Sequence, residues 1–409
     1  MGFVWFLVAF YAAYIVADLL LKLAQLGFVK KAREGEPSLL SGADWQKAAD
    51  YEIVSLRFGI AQNLFDAAVQ FGWLFAGFAL LDRAIAIESQ APKSALFIAL
   101  YITILIALNQ PFQYYKTFVI DEKFGFNRST KKLYFIDLIK SVALAFPISF
   151  AIAYAFVAVL GLYADSFGEF DNALKLALGL FAVAMFFIVL ANLLFPYFAK
   201  LFNKFEPIDD TPLGAKIGSL LKRAGFGAKG VFKIDAGKRD SRLNAYFAGF
   251  GKTKRVALYD ALIEKLSEEE ILAVLGHELG HFKHKDIFKQ MGALSAEILI
   301  FCLLLAAAIG VDFYAALGLP KAPHFTLVIY AVFILSPLSF FLQPIINAIS
   351  RRAEFAADSY GASLTDKTYL KSALIKLVVE NRAFPKKRPI YALWNETHPS
   401  VLTRIERLS

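Results

Sequence analysis

Seven apolar runs constrain this chain more than any other feature. They cover residues 3–26, 60–81, 94–113, 137–163, 172–199, 287–310 and 326–348. Each has roughly the 20 residues a helix needs to cross a bilayer core. In hydrocarbon every backbone N–H and C=O must be satisfied internally, which leaves the helix as the form for runs of this length. Composition agrees. The chain is 58% hydrophobic, contains 41 Phe and is only 19% charged, where a soluble domain carries about 25%. The expected fold class is an α-helical integral membrane protein with seven transmembrane helices. The first run reads as a span rather than a signal peptide: it lacks a basic start, carries Asp18 and is too long.

Polar residues within the runs, such as Gln62, Asn63, Asn192 and Gln343, fit kinks and helix–helix packing or a polar interior. Asp66 and Glu297 are costlier in a membrane and are expected to face the inside of the bundle. The formal charge of +9 follows from loop placement. Lys30, Lys31, Arg33, Lys47 and Arg57 follow run one; Lys116, Lys123, Arg128, Lys131 and Lys132 follow run three. The segments after runs five and seven are also basic, whereas the alternate loops are poor in Lys and Arg. The positive-inside rule then puts the N-terminus outside, the C-terminus inside, and residues 200–286 and 350–409 together on the cytoplasmic side. No motif supports a nucleic-acid partner; membrane lipid accounts for the basic loops.

The largest hydrophilic piece is 200–286. Residues 212–225 have helical period and stop at Gly225. Val231–Asp235 reads as a strand, and Leu243–Phe250 with Lys254–Tyr259 as two strands around a Gly251-Lys-Thr turn. A small β-sheet is therefore expected here. Ser267-Glu-Glu-Glu270 has the form of a capping box opening the next helix.

That helix carries His277-Glu278-Leu-Gly-His281. Four-residue spacing puts both imidazoles on one face, one turn apart, within reach of one metal ion. Glu278 lies beside them, where it can hold water and take its proton. The only cysteine, Cys302, lies in an apolar run, so metal ligands come from His and carboxylates. Catalytic zinc takes three protein ligands, so one is still to be found. Among the five histidines, His324 falls on the opposite side of the membrane and His284 reads as a solvated surface residue. Glu354 and Asp358 share a face past the seventh run. One could bind metal while the other accepts an imidazole N–H; equally, both could be surface carboxylates beside Arg351 and Arg352. Spacing leaves both readings open.

The pairing of His277-Glu-Leu-Gly-His281 with Asn347-x-x-Ser-Arg351-x-x-Glu354-x-x-Ala-Asp358 resembles the type I CAAX prenyl proteases, integral-membrane zinc metalloendopeptidases. The likeness extends along the chain. Pro111–Asn127 is similar to that family's third-loop signature. Leu201–Phe205, Asn244-Ala-Tyr-Phe-x-Gly-Phe250, Lys254–Asp260 and Thr397-His-Pro399 with Arg404 are similar to further segments. The resemblance implies His277, His281 and Glu354 as ligands of one Zn2+ per chain and Glu278 as general base. It also implies Asp358 as the partner of a ligand histidine and His398 as a stabiliser of the oxyanion. Asn244, Ala245 and Tyr246 would pair with an extended substrate, although from the sequence alone Asn244 reads as a turn residue. The expected domains are 1–199 with five membrane helices, 200–286 with the metal motif, 287–349 with two more, and 350–409 completing the catalytic part. The implied substrate is a peptide or protein, with prenylated Cys-a-a-X tails as the family's case. The competing readings are a quality-control membrane zinc protease acting on unprenylated chains, and a transporter or channel with a structural metal.

Overall fold

The computed structural model describes residues 1–162, 170–248, 255–308, 311 and 313–408. Seven helices among them are long and apolar enough to cross a membrane. They are α1 (Gly2–Arg33), α2 (Gly42–Ala84), α3 (Gln90–Asp121), α4 (Lys131–Leu162), α5 (Asp171–Phe202), α8 (Asp286–Ala308) and α9 (Pro323–Leu364). As far as the residues are described, the runs read from sequence lie within these helices, which extend further into polar sequence. The longest extensions are in α2 and α9. In α9 the helix continues through 349–350, so the last span and the Glu354–Asp358 segment form one rod. Pro111–Asp121 is likewise helical, ending in a π turn over Lys116–Asp121. The ends of runs four and six at 163 and 309–310, the Gly251-Lys-Thr turn, and the adjoining strand ends at 249–250 and 254 lie outside the described residues.

The spans pack largely as sequence neighbours, α1 on α2 and α3 on α4, with α5 also against α8. Their shared core is aromatic: Phe78, Phe97, Phe325, Tyr330 and Phe333 are buried together with Leu7 and Leu74. The membrane carboxylates face inward as expected. Glu297 is buried and accepts a hydrogen bond from Ser339, and Asp66 is half-buried beside Asn109.

Between α5 and α8 the chain builds a four-stranded sheet: β1 (Phe205–Pro207), β2 (Val231–Ile234), β3 (Ala245–Ala248) and β4 (Arg255–Tyr259). The spatial order is β1-β2-β4-β3, so β3 lies at one edge. β2 and β4 are parallel, the outer pairs antiparallel. The strand β1 had no alternating pattern to announce it; three residues are too few to show a period. Helix α6 (Pro212–Arg223) covers the sheet and packs on α7 (Glu268–Lys283). Ile217, Leu220, Val256, Leu258, Ile271 and Leu275 form this second core.

Helix α7 starts where its capping box dictates. Ser267 Oγ accepts from Glu270 N–H, and the Glu270 carboxylate accepts from Ser267 N–H. Glu270 also takes Ser372 Oγ and Lys376 Nζ from α10 (Lys367–Glu380), tying the C-terminal region to α7. Two short helices finish the chain, α11 (Pro389–Asn395) and α12 (Val401–Arg407).

Candidate metal centre

The centre forms where α7 and α9 cross. The crossing is close because glycines face it. A Cβ on Gly280 would lie 2.6 Å from Ala357 Cα, and one on Gly361 would lie 2.7 Å from His277 N. With hydrogen in those places the two backbones approach, and the i, i+4 histidines of α7 meet the Glu354 carboxylate of α9.

Three donors converge. His277 Nε2 and His281 Nε2 are 3.2 Å apart. Glu354 Oε2 is 3.5 Å from His277 Nε2, and Oε1 is 3.3 Å from His281 Nε2. A tetrahedral ion with bonds of about 2.1 Å has ligand–ligand edges of about 3.4 Å. The two imidazole nitrogens are close to such an edge, each carboxylate oxygen is close to one of them, and one ligand atom from each residue lies within 4.8 Å of the others. Glu354 Oε2 is also buried without a hydrogen bond, although Arg404 Nη1 lies 3.4 Å away as an ion-pair partner, so a carboxylate lone pair is left for a metal cation. The residues therefore fit a metal of zinc's size and ligand taste. Glu354 and Asp358 are only 5% and 3% exposed, which removes the reading of both as surface carboxylates.

Both imidazoles are oriented from behind. His277 Nδ1 lies 2.8 Å from Asp358 Oδ1, and His281 Nδ1 lies 3.1 Å from Asp286 Oδ2. A carboxylate at Nδ1 places the ring proton there and leaves Nε2 with its lone pair forward. Arg404, from α12, grips Asp358 with Nε at 2.8 Å and Nη2 at 2.6 Å. Its Nη2 is also 3.3 Å from His277 Nδ1. Both of those nitrogens are donors, so Asp358 is the acceptor shared between them. Arg404 is buried; burial opposes its charge, but the Asp358 pair outweighs this and raises its pKa.

The electrostatics favour a cation. For His281, burial opposes the charge, but Glu354 and Asp286 overcome it and hold the imidazole pKa up at about 9. Glu278 lies in the field of His277, His281, Glu354 and Arg404; desolvation is the largest influence and raises its carboxyl pKa. His398 reaches the cluster from the C-terminal segment, with Nε2 3.2 Å from Glu354 Oε1. Desolvation first, then Arg404 and the two motif histidines, lower its pKa against the pull of Glu354.

The other histidines are elsewhere. His324 is buried at the start of α9, with Ser94 Oγ 2.9 Å from Nδ1 and Asp82 3.2 Å from Nε2. His284 departs from the solvated residue expected: it is half-buried, edge-on to Tyr360. The interval from His281 to His284 turns its ring toward α9 rather than into solvent. Asn244 precedes β3: its C=O accepts from Tyr259 N–H at 3.1 Å, extending the pairing with β4, and its side chain accepts from Ala245 N–H. The strand it opens, β3, packs beside α7, and Phe247, Phe226 and Phe282 link strand and helix through edge-to-face contacts.

Comparison with known proteins agrees with this geometry. Residues 207–409 match peptidase family M48, and residues 27–204 match the CAAX prenyl protease N-terminal family, five membrane helices. CAAX prenyl protease 1 of Saccharomyces cerevisiae is 34% identical over 352 residues, covering 81% of this chain and 75% of the yeast protein. This chain belongs to the CAAX prenyl protease 1 family. The homologue of Homo sapiens is 30% identical over 361 residues, covering 78% of this chain and 74% of that one. The crystal structure of Ste24p from S. mikatae superposes with a TM-score of 0.88 at 27% identity, covering 98% of each chain. The protein is thus a multi-pass membrane metalloendopeptidase of the CAAX protease type.

Two residues at the centre of this CAAX protease escaped the sequence reading as functional. Asp286 sits just past the metal motif, where it resembles an ordinary acidic residue of a helix first turn. Arg404 was visible as part of a motif, yet nothing in its local sequence pairs it with Asp358. A second carboxylate within a turn or two of each motif histidine was the available signal for Asp286.

Proposed function

We propose that this protease is a zinc endopeptidase of the cytoplasmic membrane face that cleaves prenylated Cys-a-a-X tails after the modified cysteine. The observation that carries the reading is the trio His277, His281 and Glu354, whose ligand atoms converge within 4.8 Å of one another beside the desolvated Glu278. His and carboxylate donors at these separations favour zinc. The prenylated substrate is taken from the names of the relatives. The cytoplasmic side is taken from the loop charges. Residues 1–199 and 287–349 form the membrane part; 200–286 and 350–409 supply the catalytic residues from one side.

Bound at the trio, the metal supplies Lewis acidity toward water and the scissile carbonyl. The rest is the work of side chains. Glu278 takes a proton from the attacking water on its carboxylate and delivers it to the leaving amine. Its raised pKa brings that carboxyl nearer to the operating pH, where transfer in both directions is easiest. Asp358 and Asp286 hold the Nδ1 protons of the ligand imidazoles. His398, whose Nε2 is 3.2 Å from Glu354 Oε1, donates to the developing oxyanion. Strand β3 lies at the edge of the sheet, and its start, Asn244, Ala245 and Tyr246, would align an extended peptide along that edge.

The test uses purified full-length protein and two peptides of one sequence ending in Cys-a-a-X, one prenylated and one not. Release of the tripeptide from the prenylated form, lost with a chelator and restored by Zn2+, is the expected result. Equal cleavage of both peptides would move the function to a general membrane protease. No cleavage of either by zinc-loaded protein would remove the assignment.

A further inference from the structure

Four residues of α9 repeat at 347, 351, 354 and 358 and so share one face of the helix. The latter two belong to the metal centre. The first two do something else. Asn347, 1% exposed, donates from Nδ2 to Trp394 C=O at 2.7 Å. Arg351 donates from Nη1 to Glu396 C=O at 2.7 Å and to Ala392 C=O at 3.3 Å. These carbonyls lie at the C-terminal end of α11, which carries a partial negative charge; Ala392 C=O also accepts from Glu396 N–H at 3.1 Å, whereas the helix supplies the last carbonyls with fewer partners. A guanidinium and an amide from α9 satisfy them.

His398 lies two residues beyond Glu396. After it, Pro399 restricts the backbone, and Ser400 caps α12 by accepting from Thr403 N–H. That helix carries Arg404 to Asp358. The strap 392–404 is therefore tied at both ends to one face of α9. His398 stands between the ties, over Glu354 of the same face.

Resting on the role of His398 proposed above, we infer that Asn347 and Arg351 are positioning residues that set the height and angle of His398 over the metal centre. They touch no reacting atom. The length of α9 between Arg351 and Glu354 acts as a ruler. Three residues span about 4.5 Å of helix rise, which fixes the distance between the carbonyl tie and the ligand carboxylate.

The test is a double-mutant cycle on full-length zinc-loaded protein, reading kcat, KM and bound zinc. His398→Ala should lower kcat by about 100-fold, the effect of removing one oxyanion donor. Asn347→Ala and Arg351→Gln should each lower kcat by about tenfold or more, with KM and zinc content little changed. Combined with His398→Ala, neither should lower kcat further. Arg351→Lys keeps the charge and one donor and should recover part of the loss; it also serves if Arg351→Gln aggregates. A full additive loss in the His398→Ala background, or loss of zinc in step with kcat, would overturn the positioning role while leaving His398 in place. A His398→Ala enzyme with normal kcat would overturn both.

Discussion

Asp358 Oδ1 stands 2.8 Å from His277 Nδ1, and the same carboxylate is gripped twice by Arg404. One side chain therefore holds a candidate ligand in its tautomer and neutralises a buried guanidinium. Its counterpart at the second histidine, Asp286, shares its carboxylate with Lys289, whose side chain is 56% exposed. Two similar contacts to imidazole thus carry different structural burdens.

Asp358→Ala and Asp286→Ala should separate those burdens. Each is expected to weaken metal binding or activity by about 10- to 100-fold, the usual cost of losing a carboxylate behind a ligand histidine. Only Asp358→Ala should also cost about 1.5–3 kcal/mol of stability, because the buried Arg404 loses its bidentate partner and keeps only the 3.4 Å contact with Glu354. Metal competition titration and thermal unfolding in detergent read the two effects. Equal destabilisation by both variants would contradict the assignment.

Glu278→Gln keeps shape and removes the proton acceptor. Proteolysis should fall by at least about 100-fold, and metal content measured on the same preparation should not change. Normal turnover by this variant would sink the general-base role.

The helix crossing should tolerate a methyl group unequally. At Gly280 and Gly361 a Cβ would meet opposing backbone at 2.6 and 2.7 Å, but at Gly276 the nearest atom is 3.3 Å away. Gly280→Ala and Gly361→Ala should push α9 off α7, cost about 1–3 kcal/mol or more, and release metal. Gly276→Ala should retain metal and most activity. Equal metal retention across the three would show that close approach is not what brings Glu354 to the histidines.

Acid should loosen the contact between α7 and α10 through Glu270. Burial pushes its pKa up, but hydrogen bonds from Lys376, Ser372 and Ser267 N–H outweigh this, so the folded value lies below the ordinary 4.5. A depressed carboxyl pKa stabilises the fold fully above the unfolded value and loses that contribution as pH falls through the folded one. Glu270→Gln should cost about 1–3 kcal/mol at neutral pH. The gap between variant and parent should close below about pH 4.5. Denaturant midpoints from pH 7 to 3 measure it, and a gap independent of pH would refute the ionic account.

Much of this was legible in the sequence because it depends on local periodicity. A run of about 20 apolar residues can satisfy its backbone in lipid only as a helix. His277 and His281, one turn apart, share a face on any helix. Ser267 with Glu270 caps the helix whatever lies around it. Those features need no knowledge of neighbours distant in sequence. The choice between Glu354 and Asp358 could not be made this way, because i, i+4 spacing gives both the same face and only the approach of α9 to α7 distinguishes them. That approach depends on Gly280 meeting Ala357 and Gly361 meeting His277, contacts between helices that local pattern does not encode. Asp286, Arg404 and the strap carrying His398 were hidden for the same reason. Their roles arise from which carbonyl or carboxylate the tertiary fold places within about 3 Å of them.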